Sequence, residues 1–149
     1  MKFFSIDDLV YSNVAIKYGI KNNPSNAEKK HIVEFIENLL DPLVEKWTAY
    51  CKEKGYGSGK IGIVAGFRSN NVNKIVGGVF NSAHLLGYAA DIKPLNKKYD
   101  EFEKWISTDF AKSDILFDQI IKERTKSGRW IHIGYKNFNG DQRKQTFSV

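Results

Sequence analysis

The chain has 149 residues, 42% of them hydrophobic and 27% charged, a composition that fits one globular domain with its own core and argues against a disordered chain. Its net charge of +6 suits an acidic partner, such as nucleic acid or an anionic cell-wall polymer. A soluble protein that is basic without any such partner has the same composition, so both interpretations stay open.

Neither a signal peptide nor a membrane span is predicted. Asp7 and Asp8 lie where a signal peptide needs an apolar run, and no apolar stretch reaches about 18 residues. The single cysteine, Cys51, excludes an internal disulfide and a cysteine-rich zinc finger, and we expect it to be buried on a helix. We therefore expect synthesis in the cytoplasm, with action in the cell wall or periplasm only if another factor releases the protein.

Two short helices are predicted near the N-terminus. The first begins after Ser5, which has with Asp8 the spacing of a capping box. The second is capped by Ser12 or Asn13 and ends at Gly19.

A long amphipathic helix is predicted over about residues 26–53. Apolar residues recur at helical spacing from Ile32 to Trp47, which indicates one face turned towards a core. Pro42 removes a backbone donor and should kink or restart the helix. His31 lies near the helix start, away from the other two histidines, and is predicted to be a solvated surface residue.

Strands dominate the rest of the chain, with one further amphipathic helix over residues 100–111. Residues 136–149 are polar and are expected to form a loose tail or an edge segment. The element order predicts a single α+β domain over residues 1–149, with helices packed on one face of a small, largely antiparallel sheet. The predicted strands are 61–67, which we expect to be buried, 88–92, 117–123 and 130–135.

Two histidines and one aspartate have the residue types of an open zinc site. His84 and Asp91 can share an ion only if the chain between them folds back, since an extended segment of that length spans about 23 Å. Gly87 permits such a bend. His132 lies in an apolar strand and projects on the face opposite its isoleucine neighbours. Two imidazoles and a carboxylate suit zinc and leave a fourth position for water, whose pKa zinc lowers to about 7.

A general base is predicted at Glu123 from the register of a hairpin. If Ser127 and Gly128 form a two-residue turn, Glu123 lies directly opposite His132, with Cβ atoms about 4.5–5.5 Å apart. Glu123 would then take a proton from the water. A slip of one residue would turn it to the wrong face, so this prediction depends on the register.

Each of these residues also has an ordinary structural explanation. His132 fits a satisfied core histidine, and Glu123 fits a surface charge on a hairpin. Arg68 fits a residue that binds backbone carbonyls, and Ser82 fits a turn cap. Residue type and spacing leave both interpretations open.

The extended pattern S-x-H-x-x-G-x-A-x-D-I from Ser82, with W-x-H ending at His132, resembles two families of peptidoglycan peptidases. These are the zinc D-alanyl-D-alanine carboxypeptidases and L-alanyl-D-glutamate endopeptidases, which share a fold with the hedgehog signalling domain. The resemblance covers roughly residues 3–136. Three further segments carry it: G-F-R-S at 66–69, D-Q-I-I-K-E at 118–123, and the opening phrase at 4–24, which is similar to small phage and prophage members.

The resemblance implies one zinc ion per chain, bound by His84, Asp91 and His132. It also implies that Arg68 binds a substrate carboxylate or polarises the scissile carbonyl. Ser82 and Trp130 would line the substrate site.

The chain departs from the family at the catalytic carboxylate. Many relatives place it three residues before the last histidine, where this chain has Arg129. Glu123, on the paired strand as in the hedgehog-like arrangement, is the best replacement, and Asp118 is a poorer one.

We therefore predict a zinc metallopeptidase that hydrolyses peptidoglycan peptides as a monomer, without a nucleic-acid or membrane partner. One alternative is a non-enzymatic zinc module, such as a component of a phage particle, in which the metal only holds the fold. Another is a basic nucleic-acid-binding domain. The basic residues are scattered and no recognition motif is present, which disfavours that alternative.

Overall fold

Five strands form the centre of the computed structural model, which describes residues 1–149. The strands are β1 (Ile61–Ala65), β2 (Ala89–Pro94), β3 (Gln119–Thr125), β4 (Gly128–Gly134) and β5 (Gln145–Ser148). They lie in one sheet in the order β1-β2-β4-β3-β5. All neighbours are antiparallel except β3 and β5, which are parallel. This is the predicted α+β fold with a largely antiparallel sheet.

Helices and turns connect the strands, and none of the helices combines the length and hydrophobicity that crossing a membrane requires. Two π-helical turns, at Ile36–Leu40 and Ile106–Phe110, and a 3₁₀ turn at Ala83–Leu86 accompany the helices. The helices are α1 (Ile6–Val10), α2 (Asn13–Tyr18), α3 (Asn26–Phe35), α4 (Asp41–Lys54), α5 (Asn70–Ile75) and α6 (Tyr99–Trp105).

The hydrophobic core lies between the sheet and the helices that pack on one of its faces. Ile92 of β2 and Ile131 of β4 join Trp47 of α4 in a cluster of 24 buried side chains. Alternate residues of a strand point to opposite faces. Asp91 and His132 therefore project from the face that the long helices leave uncovered.

The predicted starts of the short helices are confirmed. Ser5 and Asp8 form a capping box in which each side chain accepts a hydrogen bond from the backbone of the other residue. Ser12, and not Asn13, caps α2. Gly19 ends this helix with a φ of 61°, a left-handed conformation that glycine adopts without strain.

The long helix is interrupted immediately before Pro42, as predicted. Its first segment, α3, continues into the π-helical turn Ile36–Leu40, and α4 begins at the next residue. Proline has no N–H to bond and its ring crowds the carbonyl four residues earlier, and a wider turn relieves both problems. Cys51 is fully buried on α4, as expected.

The prediction that the first strand is buried was wrong. Strand β1 is the edge of the sheet, where Ile61 is buried but Val64 keeps 42% of its surface exposed. An edge strand has a neighbour on one side only, so its alternating apolar pattern does not imply burial. At the other edge, β5 places the C-terminal segment in the sheet; of the two alternatives for residues 136–149, the structure shows an edge segment.

The predicted hairpin register was wrong by two positions. Thr125 pairs with Gly128, so the turn is Lys126–Ser127, and Glu123 faces Trp130 instead of His132. The Thr125 hydroxyl accepts a hydrogen bond from the backbone N–H of Ser127, and Gly128, with a φ of 150°, follows the turn. A shift of two positions keeps every side chain on its predicted face.

A polar cluster joins α3 to the sheet outside the core. Glu34 accepts hydrogen bonds from the Tyr88 hydroxyl at 2.8 Å and from the Lys136 ammonium at 3.1 Å. Partial burial opposes ionisation of Glu34, but these bonds outweigh it and lower its pKa.

Because the pKa of Glu34 is lowered by folding, its contribution to stability should be present above the unfolded value of about 4.3 and lost as the pH falls. We expect Glu34→Gln to lower the free energy of unfolding at pH 7 and to differ little from the wild type near pH 3. Urea unfolding of both proteins across this range measures the difference. An exposed acid without partners, Glu53, provides the control as Glu53→Gln. A gap between wild type and Glu34→Gln that stays constant with pH would contradict the assignment.

Candidate metal centre and active site

Three potential metal ligands meet on the uncovered face of the sheet. The β2–β4 ladder pairs Asp91 directly with His132, and the 3₁₀ turn brings His84 to the same point. Oδ1 of Asp91 lies 3.2 Å from Nδ1 of His132 and 3.5 Å from Nε2 of His84. One ligand atom from each residue lies within 4.8 Å of the others. The structure thus brings together the three residues that the sequence singled out.

The fold-back between His84 and Asp91 is built by the 3₁₀ turn and Gly87. Ser82 caps the turn, accepting a hydrogen bond from the His84 N–H at 3.2 Å. Gly87 ends it with a φ of 83°, and a Cβ there would lie 2.8 Å from Ile32 and 2.9 Å from the Glu28 carbonyl oxygen. Both backbone conformation and close packing therefore require glycine at this position.

The imidazole of His84 is held in one tautomer. Its Nδ1 lies 2.7 Å from the carbonyl oxygen of Gly66, which only accepts, so Nδ1 carries the proton and Nε2 faces Asp91. Burial lowers the pKa of His84, against the opposing effect of Asp91. A neutral imidazole with an unprotonated nitrogen turned inwards is the form that binds a metal ion.

Asp91 supplies a buried negative charge. Burial disfavours its ionised form, but the neighbouring imidazoles of His132 and His84 outweigh burial and lower its pKa well below the usual range. Two imidazole nitrogens and an ionised carboxylate are donors that zinc accepts, and three protein ligands leave one coordination position open. His132 also lines an adjoining cleft. The residues present therefore fit zinc.

Arg68 lies at the inner side of this group. Its Nη2 is 3.7 Å from Oδ2 of Asp91, and its Nη1 donates to Oδ1 of Asn73 at 3.3 Å. Burial lowers the pKa of Arg68, while the charges of Asp91 and Glu123 raise it. Asp91 and Asn73 thus hold the guanidinium, which places a cationic group close to the candidate metal position.

Two residues that help to hold the site were missed from the sequence. Asn73 is buried, and besides orienting Arg68 it donates to the Val79 carbonyl at 2.9 Å. Its only sequence signal is its place five positions after Arg68, in α5. His31, predicted to be solvated, instead donates from Nδ1 to the Leu86 carbonyl at 2.8 Å and stacks on a tyrosine ring. That prediction was wrong because the partner lies far along the chain, at the end of the turn that carries His84.

A cleft of about 490 Å³ adjoins the metal group. Glu123 lines it and accepts a hydrogen bond from Nε1 of Trp130 at 2.9 Å, which leaves its other oxygen without a hydrogen bond. Glu123 points to the same face as His132, two residue pairs closer to the hairpin turn. Ser82 lines the cleft as well as capping its turn. Trp130 orients Glu123 and is not among the residues that line this cleft; its substrate contact stays a prediction.

The other candidate carboxylate, Asp118, is engaged elsewhere, and so is Arg129. Asp118 lines the cleft but is bound by two guanidinium nitrogens of Arg143, at 2.7 and 2.9 Å. Arg129 stands where many relatives carry an acid, and it is paired with Asp100 at 2.8 Å and Glu103 at 2.7 Å, outside the cleft. Glu123 is therefore the carboxylate best placed to exchange a proton in the cleft.

Comparison with known families gives one match. The family model described as Peptidase M15 matches residues 2–134, which includes every residue of the metal group and Glu123. No curated protein matches the chain. The matched region ends before the segment that leads into β5.

Proposed function

Because the chain belongs to the peptidase M15 family, we propose that it is a zinc metallopeptidase that hydrolyses a peptide bond in bacterial peptidoglycan. The observation that carries this proposal is the convergence of His84, Asp91 and His132 within 4.8 Å beside a cleft that contains Glu123. Asp91 is a buried acid between two imidazoles, one of which, His132, lines the cleft. This is the arrangement expected of a catalytic metal site.

Zinc would be held by Nε2 of His84, the carboxylate of Asp91 and Nδ1 of His132, and when bound it supplies Lewis-acid chemistry for amide hydrolysis. The fold orients these three ligands before an ion binds. The Gly66 carbonyl fixes the His84 tautomer, and the β2–β4 ladder fixes the spacing of the other two ligands.

Glu123 would act as the general base and then as the general acid. The Trp130 indole binds one carboxylate oxygen, so the other is free to accept a proton from the attacking water and to return it to the departing amine. Arg68 would stabilise the negative charge that develops on the carbonyl oxygen or a carboxylate of the substrate. Ser82 would contact the substrate at the rim of the cleft.

Mass spectrometry of muropeptides incubated with the zinc-loaded protein tests this proposal. We expect products whose masses correspond to the addition of one water across a single peptide bond. Their identity distinguishes an endopeptidase from a carboxypeptidase. Muropeptides that stay intact with protein containing one zinc ion per chain would refute the peptidase function.

A further inference from the structure

The cleft beside the metal group has a second wall formed by residues 137–143, which lie outside the family match. Asn137 organises this segment, because its side-chain oxygen accepts hydrogen bonds from the N–H groups of Asn139 and Asp141. Backbone bonds from Lys144 and Gln145 then join the segment to the start of β3. These hydrogen bonds therefore fix the second wall to the sheet.

An ion pair stands where this wall meets the sheet. Nε of Arg143 lies 2.7 Å from Oδ1 of Asp118, and Nη2 lies 2.9 Å from Oδ2. The Asp118 side chain is 4% exposed, whereas that of Arg143 is 42% exposed, and both line the cleft. A guanidinium has five N–H donors, so this bidentate pair leaves three of them for another acceptor. The pair also holds the guanidinium in place, which reduces the entropy lost when a ligand binds.

We propose that Arg143 is a specificity-determining residue that binds a carboxylate of the peptide substrate, an inference that rests on the proposed peptidase function. Asp118 offsets the charge of Arg143, so this end of the cleft suits a single carboxylate better than a dianionic group. The carboxylate is separate from any group bound by Arg68, because Arg68 lies against Asp91 at the metal group.

The sheet gives the distance of this subsite from the metal group. His132 pairs with Ile121, and Asp118 lies three positions before Ile121 along the same segment. Asp118 immediately precedes β3, and three positions of chain span at most about 10 Å, the length of about three residues of an extended peptide. The recognised carboxylate therefore belongs to a substrate residue within about three positions of the scissile bond.

A purely structural role makes a different prediction. If Arg143 served only to neutralise the buried Asp118, removal of either partner would weaken the binding of all peptides alike. If Arg143 binds a substrate carboxylate, Arg143→Gln should abolish the preference for that carboxylate. Asp118→Asn should increase the preference, because it removes the charge that competes for the guanidinium.

The experiment uses a wall-type pentapeptide of alanine, γ-linked glutamate, lysine, alanine and alanine. One form has all its carboxylates, a second has the glutamate carboxyl as a carboxamide, and a third has the C-terminal carboxyl as a carboxamide. Calorimetric titration into zinc-loaded Glu123→Gln protein measures binding without turnover, and kcat/KM is measured separately with active protein. We expect one of the two carboxamides to bind about tenfold more weakly than the parent, and that peptide identifies the carboxylate.

In the zinc-loaded Glu123→Gln protein, Arg143→Gln should reduce the ratio of the two affinities from tenfold to about one. Asp118→Asn should raise this ratio. Arg129→Gln removes an equivalent arginine outside the cleft and should leave it unchanged. If Arg143→Gln does not fold, the double variant with Asp118→Asn removes both charges and should also lack the preference.

Equal binding of all three peptides, or no binding of any, would overturn the inference. Cleavage without a preference would leave the peptidase function standing and remove Arg143 as a specificity residue. A preference without cleavage would support the subsite and refute the peptidase.

Discussion

Glu123→Gln is expected to lower kcat for muropeptide hydrolysis by about 10²–10⁴-fold, while the zinc content stays at one ion per chain. Glutamine has the shape of glutamate and can still accept the hydrogen bond from Trp130, but it cannot take a proton from water at neutral pH. The loss should therefore appear in turnover and not in folding or metal binding. Steady-state kinetics together with metal analysis of the purified variant measure both quantities.

Two further variants sharpen this prediction. Trp130→Phe removes the hydrogen bond to Glu123 but keeps the carboxylate, so we expect a smaller loss of kcat and a displaced pH optimum. Glu53→Gln changes an exposed acid on α4 and should retain full activity. If Glu123→Gln is as active as the wild type with zinc bound, Glu123 is not the proton acceptor.

Removal of zinc with a chelator is expected to abolish hydrolysis and to leave the chain folded. The cluster of 24 buried side chains lies on the helix-covered face of the sheet, and the metal group lies on the other. Zinc would still stabilise the native state, by about 4 kcal/mol at a free concentration of 1,000 times its Kd. Far-ultraviolet circular dichroism before and after chelation, with thermal unfolding of both forms, measures the two effects.

Adding zinc back should restore activity to the wild type. Asp91→Asn, which removes the charged ligand, should bind the added zinc more weakly and recover less activity. If chelation unfolds the protein and no muropeptide is cut before or after zinc is restored, the result would favour the alternative of a structural zinc module.

Only the separate parts of the metal group could be predicted from local sequence; their convergence depends on the pairing of β2 with β4, and the family resemblance is what joined them in the prediction. A glycine that needs a positive φ, a serine that caps a turn, and a histidine between isoleucines are each visible in a short stretch of sequence. The same holds for the interruption before Pro42 and for the caps of the short helices. Local steric rules fix these features largely without regard to the rest of the fold.

For Glu123, the sequence predicted the face of the sheet but not the pairing partner. The alternation of strand residues gave its face correctly, because that depends only on a period of two. The pairing partner depended on which two residues form the turn. The turn lies one position earlier than expected, where the Thr125 hydroxyl accepts a hydrogen bond from Ser127, and this moves the partner of Glu123 by two positions. Glu123 nevertheless lines the cleft, since a shift of two positions preserves the face.

Long-range contacts account for the features that the sequence did not predict. His31 binds the Leu86 carbonyl, which lies 55 positions away. Arg143 binds Asp118 only because β5 returns to pair with β3. Neither contact produces a pattern in the neighbouring sequence, so a polar residue of this kind is easily predicted to be solvent-exposed.

The pairing of β2 with β4 has a consequence for the order of events in folding. It brings Asp91 and His132 together across 41 positions of sequence, and closing so long a loop carries an entropic cost that local turns avoid. A chain that has formed only its helices and the hairpin does not hold the three ligands together. Zinc would therefore bind only a chain whose sheet has already closed, so we expect the ion to slow unfolding without accelerating folding.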